Sequence, residues 1–249
     1  MFSKSFISFR IIRCSHSYHN YPIHKVLKQP AIKKRFRDEV KGYHILNSKP
    51  IKESVWESIN ANIVSSHCVV SEEAMGNHLS GIDNKFDDWR ISNKTAKVVN
   101  DNVRVSSYRL TSVCNNRTIG DTEDIVEEIK RRDESFDYYS ILLRNERLNY
   151  ITYQWYVIPE NFYVFDAGRY EWDTKIGRSG LIVGWKSKFM DITFSMSSQL
   201  WYKFKLCDIE QFKIVEESVE NNNALMSYAD VYRLISKDLK EKINVNKLK

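Results

Sequence analysis

Residues 79–97 read LSGIDNKFDDWRISNKTAK. The acidic residue Asp83 is followed by a short polar connection, Asn84 to Asp88, and then by a strand-like run in which Ser92 and Lys94 are two positions apart. In an extended strand, side chains at i and i+2 share a face, so Ser92 and Lys94 point one way and Ile91 and Asn93 the other. The Asn- and Asp-rich connection suits a loop between two strands. If those strands pair, Asp83 comes to lie beside Lys94. Carboxylate and water oxygens suit Mg²⁺, which is usually held by one or two carboxylates together with substrate phosphate. An ammonium next to that position stabilises charge that develops on a phosphate. The spacing therefore predicts a centre for phosphodiester cleavage, with Asp83 as metal ligand and Lys94 at the attacked phosphate. A solvated surface hairpin has the same composition and is the plainer reading of these residues.

The same residues carry a family resemblance. Gly81-Ile82-Asp83, the gap to Ile91, and Ser92-Asn93-Lys94 resemble the active-site signature of the PD-(D/E)xK nuclease superfamily, which includes most type II restriction endonucleases. The lead-in His78-Leu79-Ser80-Gly81-Ile82-Asp83 is similar to the approach found in some restriction enzymes, and Val105 to Arg109 matches the strand that follows the catalytic one. Two positions depart from the pattern: Gly81-Ile82 replaces the proline, and Ser92 replaces the second acidic residue. The resemblance implies an α/β fold with a mixed central sheet flanked by helices, a restriction-endonuclease-like core. It also implies Mg²⁺ as cofactor, double-stranded DNA as substrate and a homodimer as the working form. In such enzymes a helix ahead of the catalytic strands brings a further carboxylate to the metal.

That helix is expected over Ile51 to Val64, where Ile51, Val55, Trp56, Ile59 and Ile63 recur at helical spacing just after Pro50. On a wheel Glu53 lies at the flank of the apolar face and Glu57 almost opposite it. Glu53 is therefore the expected second metal ligand, with Glu57, Glu72 and Glu73 as its rivals. Asn100-Asp101-Asn102 marks a turn, and VRVSSYRL reads as the next strand. An amphipathic helix is expected over Asp121 to Arg132, and strands over Tyr138 to Leu143, Tyr150 to Ile158, Leu181 to Trp185, Met190 to Ser195 and Gln199 to Phe204. Residues 167–180, with three glycines and two arginines, read as a flexible loop, and the polar run Ser195 to Gln199 as a turn or substrate-facing loop. Ala224 to Ile243 reads as a helix.

The chain has 249 residues, 42% of them hydrophobic, which suffices for one sizeable α/β domain. Nine of its 38 Lys and Arg residues fall in residues 1–37, where there is no acid, so the other 212 residues carry 29 bases against 32 acids. Residues 1–37 are accordingly expected to form a basic leader or arm and 38–249 a single nuclease-like domain. The first twenty residues mix Ser, Phe, Ile and Arg as a mitochondrial presequence does. No apolar run is long enough to cross a bilayer, so no membrane partner is expected. The four cysteines are scattered and form no zinc-ligand spacing. Phosphate-cradling, dinucleotide-binding, nucleophile-elbow and zinc-protease motifs are all missing. The reading from another functional class is a non-catalytic nucleic-acid-binding protein of an organelle, using the basic leader and the aromatic strands.

Overall fold

The computed structural model describes residues 21–71, 82–109, 122–162, 164–165, 173–178, 180, 182–186, 189–194, 199–221 and 226–247. The chain folds as a mixed, mostly antiparallel sheet flanked by helices. Three helices come first: α1 (Pro22–Leu27), α2 (Pro30–Leu46) and α3 (Glu53–Val64). The short β1 (Val70–Ser71) and β2 (Asn84–Phe86) lead into β3 (Trp89–Val99) and β4 (Asn102–Arg109). Helix α4 (Thr122–Asp133) precedes β5 (Tyr138–Glu146) and β6 (Tyr150–Pro159). There follow β7 (Asp173–Ile176), β8 (Ile182–Lys186), β9 (Met190–Phe194), β10 (Gln199–Lys205), β11 (Lys213–Glu220) and α5 (Tyr228–Lys247). The strand order is β11-β6-β5-β3-β4-β10-β9-β8-β7, with β1 and β2 joined to the start of β3.

β3 is the axis of the fold. On one side it pairs in parallel with β5 from Ile91 to Lys97, through a crossover containing β4 and α4, as parallel neighbours require. Arg90 and Asp137 fix where that pairing starts: the guanidinium donates to both Asp137 oxygens, at 2.8 and 3.2 Å, and the Arg90 amide donates to one of them. On its other side β3 changes partner, pairing with β2 from Trp89 to Ile91 and with β4 from Ala96 to Val99. Asn100 and Asp101, with φ of 49° and 59°, form the two-residue turn between β3 and β4. At the β2–β3 hairpin the turn is only Asp87-Asp88, with Asp87 at φ 51°, so Asn84 to Phe86 are strand rather than loop.

A core lies on each face of the sheet. On one face α4 supplies Ile125 and Ile129 against Ala96, Val98, Val103, Val105, Ile141 and the inward side chains of β9 and β10. On the other face α1, α2 and α3 cover Ile91, Leu142, Tyr153, Trp155 and Val215. Phe36, Trp56 and Trp155 meet at its centre, with ring centroids 5.7–6.3 Å apart. Each of these aromatics removes a large apolar area from water, and truncating one costs about 3–5 kcal/mol.

The N-terminal helices differ from what the charge pattern suggested. Ile32, Phe36 and Val40 form a fully buried stripe at i, i+4, i+8 of α2, and Ile23 and Leu27 of α1 are buried with them. The change in charge at residue 37 thus falls inside a packed helix. Its bases lie on the solvent side in ion pairs, Lys34 with Asp38, Arg35 with Glu39, and Arg37 and Lys41 with Glu217 of β11. Two further strands carry no clear signal in the sequence. β7 lies within the glycine-rich stretch expected to be a loop, and β11 pairs with β6 although its sequence, KIVEESVE, is half acidic or polar. The presequence-like residues 1–20, the acids Glu72 and Glu73, and the run 195–198 lie outside the described residues. Among the described residues no helix is long and apolar enough to cross a membrane.

Candidate active site

The change of partner along β3 leaves residues 92–95 without a strand on that edge among the described residues. In an extended strand a residue's N–H and C=O point to the same edge. The two edge-facing backbone groups of Asn93 are met by side chains instead. Asp83, just ahead of β2, accepts the Asn93 N–H with its Oδ2 at 2.5 Å, and Lys94 donates its ammonium to the Asn93 carbonyl at 2.7 Å. Asp83 is itself held by its own amide, which donates to the Ile91 carbonyl at 2.9 Å. An aspartate and a lysine therefore stand where a strand would otherwise continue.

Lys94 is nevertheless the centre of a wider cluster. Its ammonium lies 3.3 Å from Glu53 Oε1 and 3.6 Å from Asp83 Oδ2. The lysine side chain is only 10% exposed, against 37% for Glu53 and 23% for Asp83, so the cation is buried and its partners face outward. Glu53 is in position because α3 begins there: Pro50 and the extended Lys52 precede it, and an acid in the first turn is favoured by the helix dipole. Burial works against the charge on Lys94, but Asp83, Glu53 and Glu57 outweigh it and hold its pKa above the ordinary lysine value. The group is thus a fixed ammonium at neutral pH.

Glu57 is the member of this cluster that the helical wheel placed wrongly. One turn after Glu53 on α3, it is half-buried, and burial first, then the negative charge of Asp83, raises its pKa while Lys94 opposes the rise. The i, i+4 spacing of Glu53 and Glu57 is visible in the sequence, and it puts both carboxylates on one flank of the helix. What the wheel lacks is the position of the sheet edge, which reaches round that flank.

Behind the cluster lies a buried polar network. The Asn60 amide of α3 donates to Asn93 Oδ1 at 2.6 Å and to Ser140 Oγ at 2.7 Å, and the Asn93 amide donates to Asn84 Oδ1 at 2.5 Å. Trp155 Nε1 donates to the same Ser140 hydroxyl at 2.9 Å, and Trp56 Nε1 to the Ser140 carbonyl at 3.3 Å. Asn93, Asn60 and Ser140 are completely buried, and their mutual bonds fix α3 in register with β3 and β5. Ser92 is also buried, in register with Tyr139 of β5.

The structure thus brings Asp83, Glu53 and Lys94 to one place, adds Glu57, and leaves Ser92 in the strand interior. Among the described residues no group of three or more His, Cys, Asp and Glu side chains is arranged to hold a metal ion. Mg²⁺ needs only one or two carboxylates plus water and substrate oxygens, and an all-oxygen donor set of Asp83 and Glu53 fits that requirement. The Cys68 sulfur is buried and pushed up to about 12 by burial and by Asp87, which keeps it protonated. Comparison with family models, with curated proteins and with solved structures found no match to this chain.

Proposed function

We propose that the protein is a Mg²⁺-dependent endonuclease that cleaves phosphodiesters of double-stranded DNA, with a core resembling that of the type II restriction enzymes. The observation that carries this reading is the buried Lys94 ammonium, 3.3 Å from Glu53 and 3.6 Å from Asp83, at the break in the β3 edge. Asp83 and Glu53 would hold the metal, with Glu57 beside them. When bound, Mg²⁺ supplies neutralisation of phosphate charge and a more acidic water. Lys94 keeps its charge in a low-dielectric site and presents it to the oxygens of the attacked phosphate, where charge grows in the transition state. Asn93 and Asn60 position this lysine by fixing strand and helix together.

The test is incubation of the purified protein with plasmid DNA across a series of divalent ions. Discrete fragments with Mg²⁺ and none with EDTA are expected. Binding without cleavage in every ion would instead mark a non-catalytic nucleic-acid-binding protein. Among variants, Glu53→Gln should slow cleavage more than Glu57→Gln, and Ser92→Ala should be milder than either, since a buried hydroxyl adds little to Mg²⁺ affinity.

A further inference from the structure

Past the part of β3 that α3 covers, the same sheet face carries a row of cations. Lys97 on β3 stands opposite Arg104 on β4, and Arg104 opposite Lys203 on β10. All three are exposed, while their neighbours Ala96, Val98, Val103, Val105, Tyr202 and Phe204 are buried in the core on the far face. Together with Lys175, Asp191 and Thr193 they line a cavity of about 570 Å³.

Like charges directly opposite one another weaken a sheet, so three cations in register need an explanation. Lys97 is neutralised by Glu146 at 2.6 Å and Lys175 by Asp191 at 3.5 Å. Arg104 and Lys203 form no ion pair within 4 Å among the described residues, although Lys203 stands opposite Asp191 of β9, the acid that Lys175 meets. The Arg104 guanidinium instead lies 4.4 Å from the centre of the Trp201 ring. Strands are about 4.8 Å apart, so the row spans about 10 Å across the sheet, and Lys97 is about 10 Å along β3 from Lys94.

We infer that this concave face of β3, β4, β10 and β9 binds a nucleic-acid backbone, with Arg104 and Lys203 as its main phosphate-binding groups. Unpaired, exposed cations in register complement a polyanion, and a cavity admits a backbone that a flat bilayer could not enter. The Arg104–Trp201 pair adds a ring face of the kind that supports bases and sugars. The inference deepens the proposed function and rests on it only for the choice of DNA as the polyanion.

The experiment is a titration of labelled duplex DNA with the full-length protein in EDTA, so that no cleavage is needed, repeated over a series of salt concentrations. Arg104→Glu with Lys203→Glu should weaken binding at least tenfold and make the plot of log affinity against log salt shallower by about two, one for each phosphate no longer neutralised. Arg104→Glu alone turns the repulsion from Lys97 and Lys203 into attraction, so its thermal midpoint should not fall; this single variant should itself weaken binding and make the salt plot shallower by about one, a loss that cannot be ascribed to unfolding. Unchanged DNA affinity and salt slope in the double variant would overturn the inference, as would a loss confined to phosphatidylserine vesicles or to an acidic peptide. Weaker binding by the double variant of a protein that never cleaves with Mg²⁺ would keep this surface and remove the nuclease reading. Normal cleavage with unchanged binding would do the reverse.

Discussion

The two halves of β3 obey different rules. From Ala96 to Val99 it is an ordinary strand, with Ala96 and Val98 in a core and Lys97 and Val99 exposed. From Ser92 to Lys94 three consecutive polar residues are buried, each at a cost that only partners can offset. For Asn93 and Lys94 those partners come from other elements: Asn60 and Glu53 from α3, Asp83 from before β2 and Asn84 from β2. The second half is held by its own pattern, whereas the first half exists only because the rest of the fold supplies it. Burial of this kind falls where, among the described residues, the strand edge is left open.

Lys94→Ala should have the largest effect and would break the comparison most directly. Removing the cation of this cluster should lower cleavage by about a hundredfold or more. Measured by plasmid relaxation with Mg²⁺, near wild-type cutting would show that the cluster only caps the open edge. Asp83→Asn sharpens the point, because it keeps an acceptor for the Asn93 N–H and loses the charge. It should remain folded and lose cleavage.

Asn93→Ala should have the largest effect on stability. It removes partners from Asn84 and Asn60 in a dry interior, and each orphaned group costs about 1–3 kcal/mol. A denaturant midpoint shift corresponding to about 2–4 kcal/mol is expected. A shift below half of the lower figure would mean that the two halves of β3 are held alike.

What the sequence made legible divides along the same line. α3, β4, α4, β5, β6, β8, β9, β10 and α5 all carry period or turn signals of their own, and residues 96–99 of β3 alternate as a strand should. Asp83 beside Lys94 follows from hairpin pairing, which is local. Besides β7, which lies in a glycine-rich stretch, three features were not legible. α1 and α2 bury Ile23, Ile32 and Phe36 under a coat of bases that reads as a leader. β11 is strand because β6 offers it an edge, against its own acidic composition. Glu57 joins the cluster because the sheet edge comes to it, which no helical wheel contains. Each depends on a contact between residues distant in sequence.

The response to pH is smaller and has a definite sign. Lys94 has a raised pKa in the folded chain, so its ion pairs stabilise fully below the ordinary lysine value of 10.5 and are lost as pH rises through the folded value. Wild type should exceed Lys94→Met by on the order of 1 kcal/mol at neutral pH, the upper range for partly exposed pairs. That gap should stay constant up to the ordinary lysine value of 10.5 and narrow only above it, as followed by thermal melts from neutral pH to well beyond that value. A gap independent of pH would assign the difference to packing of the side chain.

Lys97 should give the smallest effect, and it tests the ordinary half. Its ammonium meets Glu146 at 2.6 Å, closer than Lys94 comes to either of its carboxylates, yet its side chain is 46% exposed. Distance alone would rank this pair above the Lys94 cluster. Solvent screening reverses the order, because two exposed charges gain little over their separate hydration. Arg144 also reaches Glu146, at 2.7 Å, so that carboxylate stays paired when the lysine is removed. Opposite Lys97, Arg104 is relieved of a like charge. Lys97→Ala should therefore change stability by no more than about 0.5 kcal/mol, with either sign. A loss comparable to that of Asn93→Ala would mean that charge on the open face supports the fold, and the contrast between the two halves of β3 would not stand.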